Sequence, residues 1–287
     1  MIRYLCYLVA QFLAIYLSKR WAYCVARIVS RLYYYFSWQS RRAVRDNLSH
    51  VMKGKLTKEE FCRLIWLTYL NFGKYLADFL FFPKIDANNI DKIVKMENRH
   101  YIDEAFSYKR GVIALSAHLG NWEIGGIALS LKGYPINAIV LSHDNLKVNQ
   151  FFIRQRERKN MSIIPVGSAF RKALRVLRKG ESIAVLGDRD IFKKGIKVDL
   201  FGKEAIVPKG PAMMAVETGA AILPVFAIRQ SDETYKLIFE KPFFAQNAYN
   251  RDESIRKTAL QITGVIEKYI GLYPEQWLLF HHMWEGE

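Results

Sequence analysis

The sequence predicts an α/β fold, a mixed, mainly parallel central sheet flanked by helices and preceded by a helical N-terminal region. Three observations carry this expectation. From Gly111 onward short apolar runs alternate with longer amphipathic ones, the pattern of a layered sheet whose strands are buried on both faces. Before Pro83 the chain reads as helix almost throughout. Its 287 residues, 51% hydrophobic and 24% charged, allow one large domain with a helical addition and exclude both a disordered chain and a multi-spanning membrane protein.

The first element runs uncharged from Tyr4 to Tyr16 and is followed by Lys19 and Arg20. It is shorter than the roughly 20 residues that cross a bilayer as a helix, and no small-residue cleavage site follows it, which argues against a signal peptide. A second, aromatic-rich stretch from Trp21 to Trp38 is broken by Arg27 and Arg31. Together they read as helices dipping into one leaflet, with Tyr33, Tyr34, Tyr35, Trp38 and the arginines at headgroup level; two amphipathic helices packed on the domain are the bland alternative. Thr57 and Glu60 are spaced as a capping box for a helix from Lys58 to about Phe81, which Pro83 ends. Residues 1–82 are thus assigned to a helical, membrane-associating region and 83–287 to the α/β domain. Within the latter, Val112 to Ser116, Ala138 to Ser142, Ile163 to Val166, Ile183 to Leu186 and Ile222 to Ala227 read as strands. Glu123 to Ser130, Val148 to Lys159, Ala169 to Arg178 and Pro211 to Thr218 read as the helices between them.

The charge balance, 43 Lys plus Arg against 27 Asp plus Glu, is a formal +16. Anionic partners are implied, but nucleic acid, an anionic membrane, phosphorylated lipid or an acidic carrier protein would all satisfy it. Cys6, Cys24 and Cys62 form no CxxC pair; free thiols and a reducing, cytoplasm-facing location are expected.

Chemistry in such sheets collects at the carboxyl ends of the strands. The strand Val112 to Ser116 runs into Ala117-His118-Leu119-Gly120-Asn121-Trp122-Glu123, which places His118 at such an end. Gly120 permits a tight turn, Asn121 can cap the next helix, and Glu123 falls in its first turn, where its carboxylate is expected to accept the imidazole N–H. The other ring nitrogen is then free to take a proton from a substrate hydroxyl, an arrangement suited to acyl transfer without a covalent enzyme intermediate. A surface histidine beside a capping carboxylate is the bland reading. Ser116 lies at a strand end with no GxSxG elbow, which disfavours a serine hydrolase. His143-Asp144-Asn145 and Gly187-Asp188-Arg189-Asp190 end two further strands on the same edge. Arg154 is suited to bind a phosphate as a two-pronged donor; Arg156, Arg158 and Lys159 read equally as a solvated face, and Lys193, Lys194 and Lys197 as an exposed basic loop.

These residues also carry a family resemblance. HLGNWE at 118–123, Asn145 nine residues before Arg154, the Asp188-Arg189-Asp190 triplet, VDLFGKEAIVPKGPAMMAVETGAAILP at 198–224 and the tail Pro274-Glu275-Gln276-Trp277…His281…Trp284 occur in this order. Together they resemble the lipid A biosynthesis lauroyl/myristoyl acyltransferases, within the lysophospholipid acyltransferase superfamily. They are also similar to the mycobacterial acyltransferase of phosphatidylinositol mannosides, to which the 187–190 region is the closer. The likeness spans about residues 20–287 and implies a glycerolipid acyltransferase-like fold. It further implies His118 as general base, Glu123 as its partner, and Arg154 with Asp188 or Asp190 completing the polar site; Asn121, Asn145, Arg156 and Arg189 stand at family-typical or adjoining positions, as substrate-binding candidates. It implies an acyl thioester co-substrate, on acyl carrier protein or coenzyme A, with no metal or other cofactor. The acceptor it implies is an anionic glycolipid at the cytoplasmic face of the inner membrane. Two other classes compete: a basic nucleic-acid-binding module, for which no recognition helix or RNP-like motif is present, and a hydrolase that puts water in place of the acceptor.

Overall fold

The structure, a computed structural model, describes residues 2–284. Four helices open the chain: α1 (Ile2–Tyr16), α2 (Lys19–Phe36), α3 (Trp38–Met52) and α4 (Lys58–Leu80). The capping box forms as expected, with Glu60 N–H donating to Thr57 Oγ1 and Thr57 N–H to Glu60 Oε2. No helix among the described residues is long and apolar enough to cross a membrane.

The remainder continues as α5 (Ile90–Ile93), β1 (Val94–Glu97), α6 (His100–Ser107), β2 (Val112–Ser116), α7 (Trp122–Leu131), β3 (Ile136–Val140), α8 (Leu146–Glu157) and β4 (Ser162–Pro165). Then follow α9 (Ala169–Arg178), β5 (Ser182–Leu186), β6 (Ile196–Leu200), β7 (Lys203–Val207), α10 (Gly210–Thr218), β8 (Ala221–Arg229), β9 (Tyr235–Phe239) and α11 (Arg251–Leu272). Seven strands form one sheet in the order β1-β9-β8-β2-β5-β3-β4. The five from β8 to β4 are parallel, and β9 runs antiparallel to β8. The expected mainly parallel sheet is therefore present; β9 and the edge strand β1 extend it, and a separate β6–β7 hairpin and the long α11 are added, none of which the sequence reading assigned.

Strand β2 is buried along its whole length and splits its side chains between two cores. Ile113 and Leu115 belong to a core with α9, α10 and α11; Val112 and Ala114 belong to another with α6, α7 and α8. Helix α4 packs over the second face, where Tyr75 stacks on Trp122 at 4.6 Å and Phe79 meets Phe152 at 4.6 Å. Lys197, read as part of a basic loop, lies in β6 and pairs with Glu204 across the hairpin at 2.7 Å.

Candidate active site

Registration of the sheet assembles the site. Ser116 of β2 pairs with Leu186 of β5, so two residues further on His118 and Asp188 emerge side by side at the carboxyl edge. His118 Nδ1 lies 2.9 Å from Asp188 Oδ1, and the His118 backbone N–H donates to Asp188 Oδ2 at 3.0 Å. Trp277 Nε1–H donates to the same Oδ2 at 3.0 Å. A carboxylate only accepts, so its contact assigns the ring proton to Nδ1 and leaves Nε2 with a lone pair. Asp188 is essentially inaccessible, 1% exposed at the side chain, whereas the His118 ring retains 22%. Burial by itself would raise the Asp188 carboxyl; the charge and hydrogen bond of His118, the Trp277 hydrogen bond and the His118 backbone outweigh it and hold the carboxyl below its ordinary value.

The loop that carries His118 is clamped from both sides. Leu278 N–H donates to His118 O at 2.6 Å, Gly120 N–H to Gln276 O at 2.9 Å and Asn121 N–H to Ala227 O at 2.8 Å. The Gln276 amide is itself locked to the Arg229 backbone, accepting at 2.9 Å and donating at 3.0 Å. Gly120 has φ +64°, and a Cβ there would stand 2.0 Å from Ala227 O, so both its conformation and its packing demand glycine.

The expected pairing of His118 with Glu123 is corrected. Asn121 caps α7 by accepting from Ile124 N–H at 3.1 Å, which puts Glu123 on the helix rather than beside the imidazole. There Arg156 grips it in bidentate fashion, Nε to Oε2 at 2.9 Å and Nη2 to Oε1 at 2.5 Å. The pair is buried, with side chains 7% and 11% exposed. The structure places four other candidates as follows. Arg154 is on the exposed side of α8, two residues and about 200° around the helix from Arg156, and is not among the residues that line the cavity. Asn121 is wholly buried, its amide donating to Tyr235 OH at 3.2 Å. Asn145 caps α8, accepting from Lys147 and Val148 N–H. Asp190 shapes its own loop, accepting from Phe192 and Gly195 N–H. Arg189 does reach the site: it lines the cavity half-buried, and burial lowers its guanidinium against the opposing pull of Asp188.

His118, Glu123, Arg156 and Arg189 stand around a cavity of about 510 Å³ between the sheet and helices α4 and α7. Trp122 flanks the imidazole edge-on at 5.1 Å. Ser116 also lines it, and its buried Oγ has no hydrogen-bond partner among the described residues, so it is not paired with His118. His143 and His281 stand at the rim. Burial lowers both, reinforced for His143 by Arg156 and for His281 by Arg189, His118 and His282. The sequence reading missed Trp277 and Gln276 as site residues; their signal was the Pro274–Trp277 run, quoted there without a role.

A sequence model of the family described as bacterial lipid A biosynthesis acyltransferase matches residues 1–285. The chain belongs to that family. Among relatives of this family member, phosphatidylinositol mannoside acyltransferase of Mycolicibacterium smegmatis is 23% identical over 249 residues, covering 84% of this chain and 78% of the relative. The Mycobacterium tuberculosis protein of the same name is 28% identical over 162 residues, 54% of this chain and 51% of the relative. Lipid A biosynthesis lauroyltransferase of Escherichia coli is 25% identical over 204 residues, 70% of this chain and 64% of the relative. The chain thus spans about half the length of the M. tuberculosis relative and just under two thirds of the E. coli one.

Proposed function

We propose that this acyltransferase family member moves a fatty acyl group from a thioester, on acyl carrier protein or coenzyme A, to a hydroxyl of an anionic membrane glycolipid, a lipid A precursor in the first instance. The observation that supports this reading is the His118–Asp188–Trp277 arrangement at the mouth of a largely apolar cavity. Nε2 of His118 takes the proton of the acceptor hydroxyl as its oxygen attacks the thioester carbon. The tetrahedral intermediate then collapses, the C–S bond breaks, and the departing sulfur receives the proton from the imidazolium. Asp188 holds the tautomer that can accept the proton and stabilises the cation that results. The phosphatidylinositol mannoside relatives favour a mannoside as the second candidate acceptor.

Attachment to the cytoplasmic face of the inner membrane through α1 and α2 belongs to the same proposal. Phe12, Trp21 and Phe36 of the two helices are 60%, 65% and 84% exposed, as is Trp38 at the start of α3 at 63%, interleaved with exposed Arg20, Arg27 and Arg31, the composition of an interfacial helix pair.

Incubating the protein with labelled acyl carrier protein and acyl-coenzyme A thioesters plus total inner-membrane lipid, and identifying products by mass spectrometry, tests the reading. One newly acylated glycolipid is expected, absent with His118→Ala. Free fatty acid released at one rate with and without lipid acceptor would replace transfer by hydrolysis.

A further inference from the structure

A buried ion pair adjoins the loop that carries His118. Arg229, at the end of β8, donates Nη2–H to Asp78 Oδ2 of α4 at 2.6 Å, and the two side chains are 6% and 5% exposed. Two hydroxyls complete the group. Tyr23 of α2 donates to Asp78 Oδ1 at 2.7 Å and accepts from Arg229 Nη1–H at 2.7 Å. Tyr235 of β9 donates to Asp78 Oδ2 and accepts from the Asn121 amide at 3.2 Å. Burial and the Asp78 charge raise both hydroxyls above their ordinary values, so each stays protonated and keeps its donor role. Buried charges are costly to desolvate, and apolar side chains of the same volume often stabilise a contact as well or better. What this group supplies that an apolar cluster cannot is direction.

That direction reaches the His118 loop by two routes. Asn121 Oδ1 accepts from Ile124 N–H at 3.1 Å while its NH2 is held by Tyr235, so the amide has one orientation and the loop enters α7 at one angle. By the second route the Arg229 backbone grips the Gln276 amide at 2.9 and 3.0 Å, and Gln276 O accepts from Gly120 N–H at 2.9 Å. Tyr23, Asp78, Arg229 and Tyr235 do not line the cavity, so none of them touches a substrate held there. We propose that these four are positioning residues, a hydrogen-bond relay that sets the place of the His118 ring from outside the cavity and, through Tyr23, ties it to the seating of α2. Helix α2 otherwise meets the protein here through small residues, Ala22, Ala26 and Ser30, and Ser30 packs so closely on α4 that a Cβ at Gly73 would stand 2.1 Å from its Oγ. Tyr23 is the polar tether in that contact. The inference rests on the acyl-transfer reading and names what holds the base of that reaction in place.

Tyr235→Phe and Tyr23→Phe keep the rings and delete one hydroxyl each. The whole protein is assayed for transfer from acyl-coenzyme A and acyl carrier protein thioesters into total inner-membrane lipid and, independently of activity, for amide hydrogen exchange by mass spectrometry. Tyr235→Phe should lower kcat about tenfold and Tyr23→Phe, one bond further from the loop, about threefold, both at unchanged KM, as small displacements of a reacting group do. Exchange at residues 117–122 and 276–279 should quicken roughly tenfold in Tyr235→Phe and less in Tyr23→Phe, with β3 and β4 unchanged in both. A purely structural contribution would quicken exchange across the whole sheet and lower Tm. If Tyr235→Phe does not fold, Tyr23→Phe, whose side chain is half-buried on α2, decides. Folded variants with wild-type kcat and wild-type exchange in both segments, or with exchange raised evenly over the sheet, overturn the relay and leave acyl transfer standing. A wild type that transfers no acyl group from any thioester overturns the proposed function, and local exchange then still decides whether the relay holds the loop.

Discussion

Replacing Asp188 with asparagine keeps the size of the side chain and changes which donors it can satisfy. The carboxylate accepts three hydrogen bonds, one at Oδ1 from the His118 ring and two at Oδ2, from His118 N–H and Trp277 Nε1–H. An asparagine has one acceptor oxygen. Placed at the Oδ2 position, that oxygen keeps two of the three bonds and turns the amide NH2 toward Nδ1; placed at Oδ1, it leaves two buried N–H groups facing a donor, at about 1–3 kcal/mol each. The first orientation wins, and it forces Nδ1 to accept, which moves the ring proton to Nε2, the atom that must receive a proton. With about 2 kcal/mol against the productive tautomer and about 2 kcal/mol for the charge-assisted bond lost by the imidazolium, the barrier rises by roughly 4 kcal/mol. The expected loss is about 10³-fold in kcat. Steady-state transfer at saturating donor and acceptor measures it, with circular dichroism and Tm confirming the fold. A variant that keeps a third or more of wild-type kcat refutes the assignment of Asp188, and a 10³-fold loss confined to Glu123→Gln would return the role to Glu123.

Glu123→Gln is expected to act on stability, because it leaves the Arg156 guanidinium buried without its counter-charge; a loss of about 3 kcal/mol in chemical denaturation is anticipated, partly recovered by adding Arg156→Met. Trp277→Phe keeps an aromatic ring, though a smaller one, and deletes one donor to Asp188, so kcat should fall about tenfold with little change in KM, and an unchanged kcat would show that Asp188 needs only its His118 contacts. Ser116→Ala removes a buried hydroxyl without a partner and should raise unfolding free energy by about 1 kcal/mol. The rim histidines give a pH signature. Both titrate below the ordinary value of ~6.5 in the folded protein, so as pH falls the unfolded chain takes up protons first. Stability is complete above about pH 6.5 and declines through the folded values, and His143→Gln combined with His281→Gln should flatten the fall in Tm between about pH 7 and pH 5.5.

What the sequence disclosed depended on how local the signal was. Strand β2 and helix α9 fall where expected to the residue, because an unbroken apolar run and a steep polar face need no partner to be recognised. Strand β3 starts two residues before the expected Ala138, since buried Asn137, which donates to Ser182 O and Glu181, hides the strand behind a polar residue. The β6–β7 hairpin escaped because its two-residue turn is Phe201-Gly202, both at positive φ, a geometry normally advertised by Asn-Gly or Asp-Gly. Here Asp199 supplies the missing side chain by accepting from Gly202 N–H at 2.7 Å. His118 was legible from its own surroundings. Its carboxylate was not, because Asp188 is 70 residues away and becomes adjacent only through the register of β2 with β5, whereas Glu123 was close in sequence and held elsewhere by a helix cap.

The two buried carboxylates near the mouth divide what a single His–Glu pair was expected to do. Asp188 meets His118 through one oxygen and the backbone and indole donors through the other, so the ring is oriented by groups on three separate segments, β2, β5 and the 276–278 stretch. Glu123 and Arg156 instead join α7 to α8 across the cavity roof. Their mutual neutralisation leaves Arg189, for which no ion pair is found among the described residues, as a cation at the mouth beside His281. Charge is thereby sorted by depth. The cavity beyond Ser116 is lined mainly by apolar side chains, the Glu123–Arg156 pair is internally satisfied, and Arg189 leaves positive charge at the mouth, the side from which the proposed anionic acceptor would come. A thioester drawn acyl-first into the cavity would meet His118 at the one level where apolar lining gives way to proton-accepting nitrogen, so the position of attack follows from where along β2 the hydrophobic run stops.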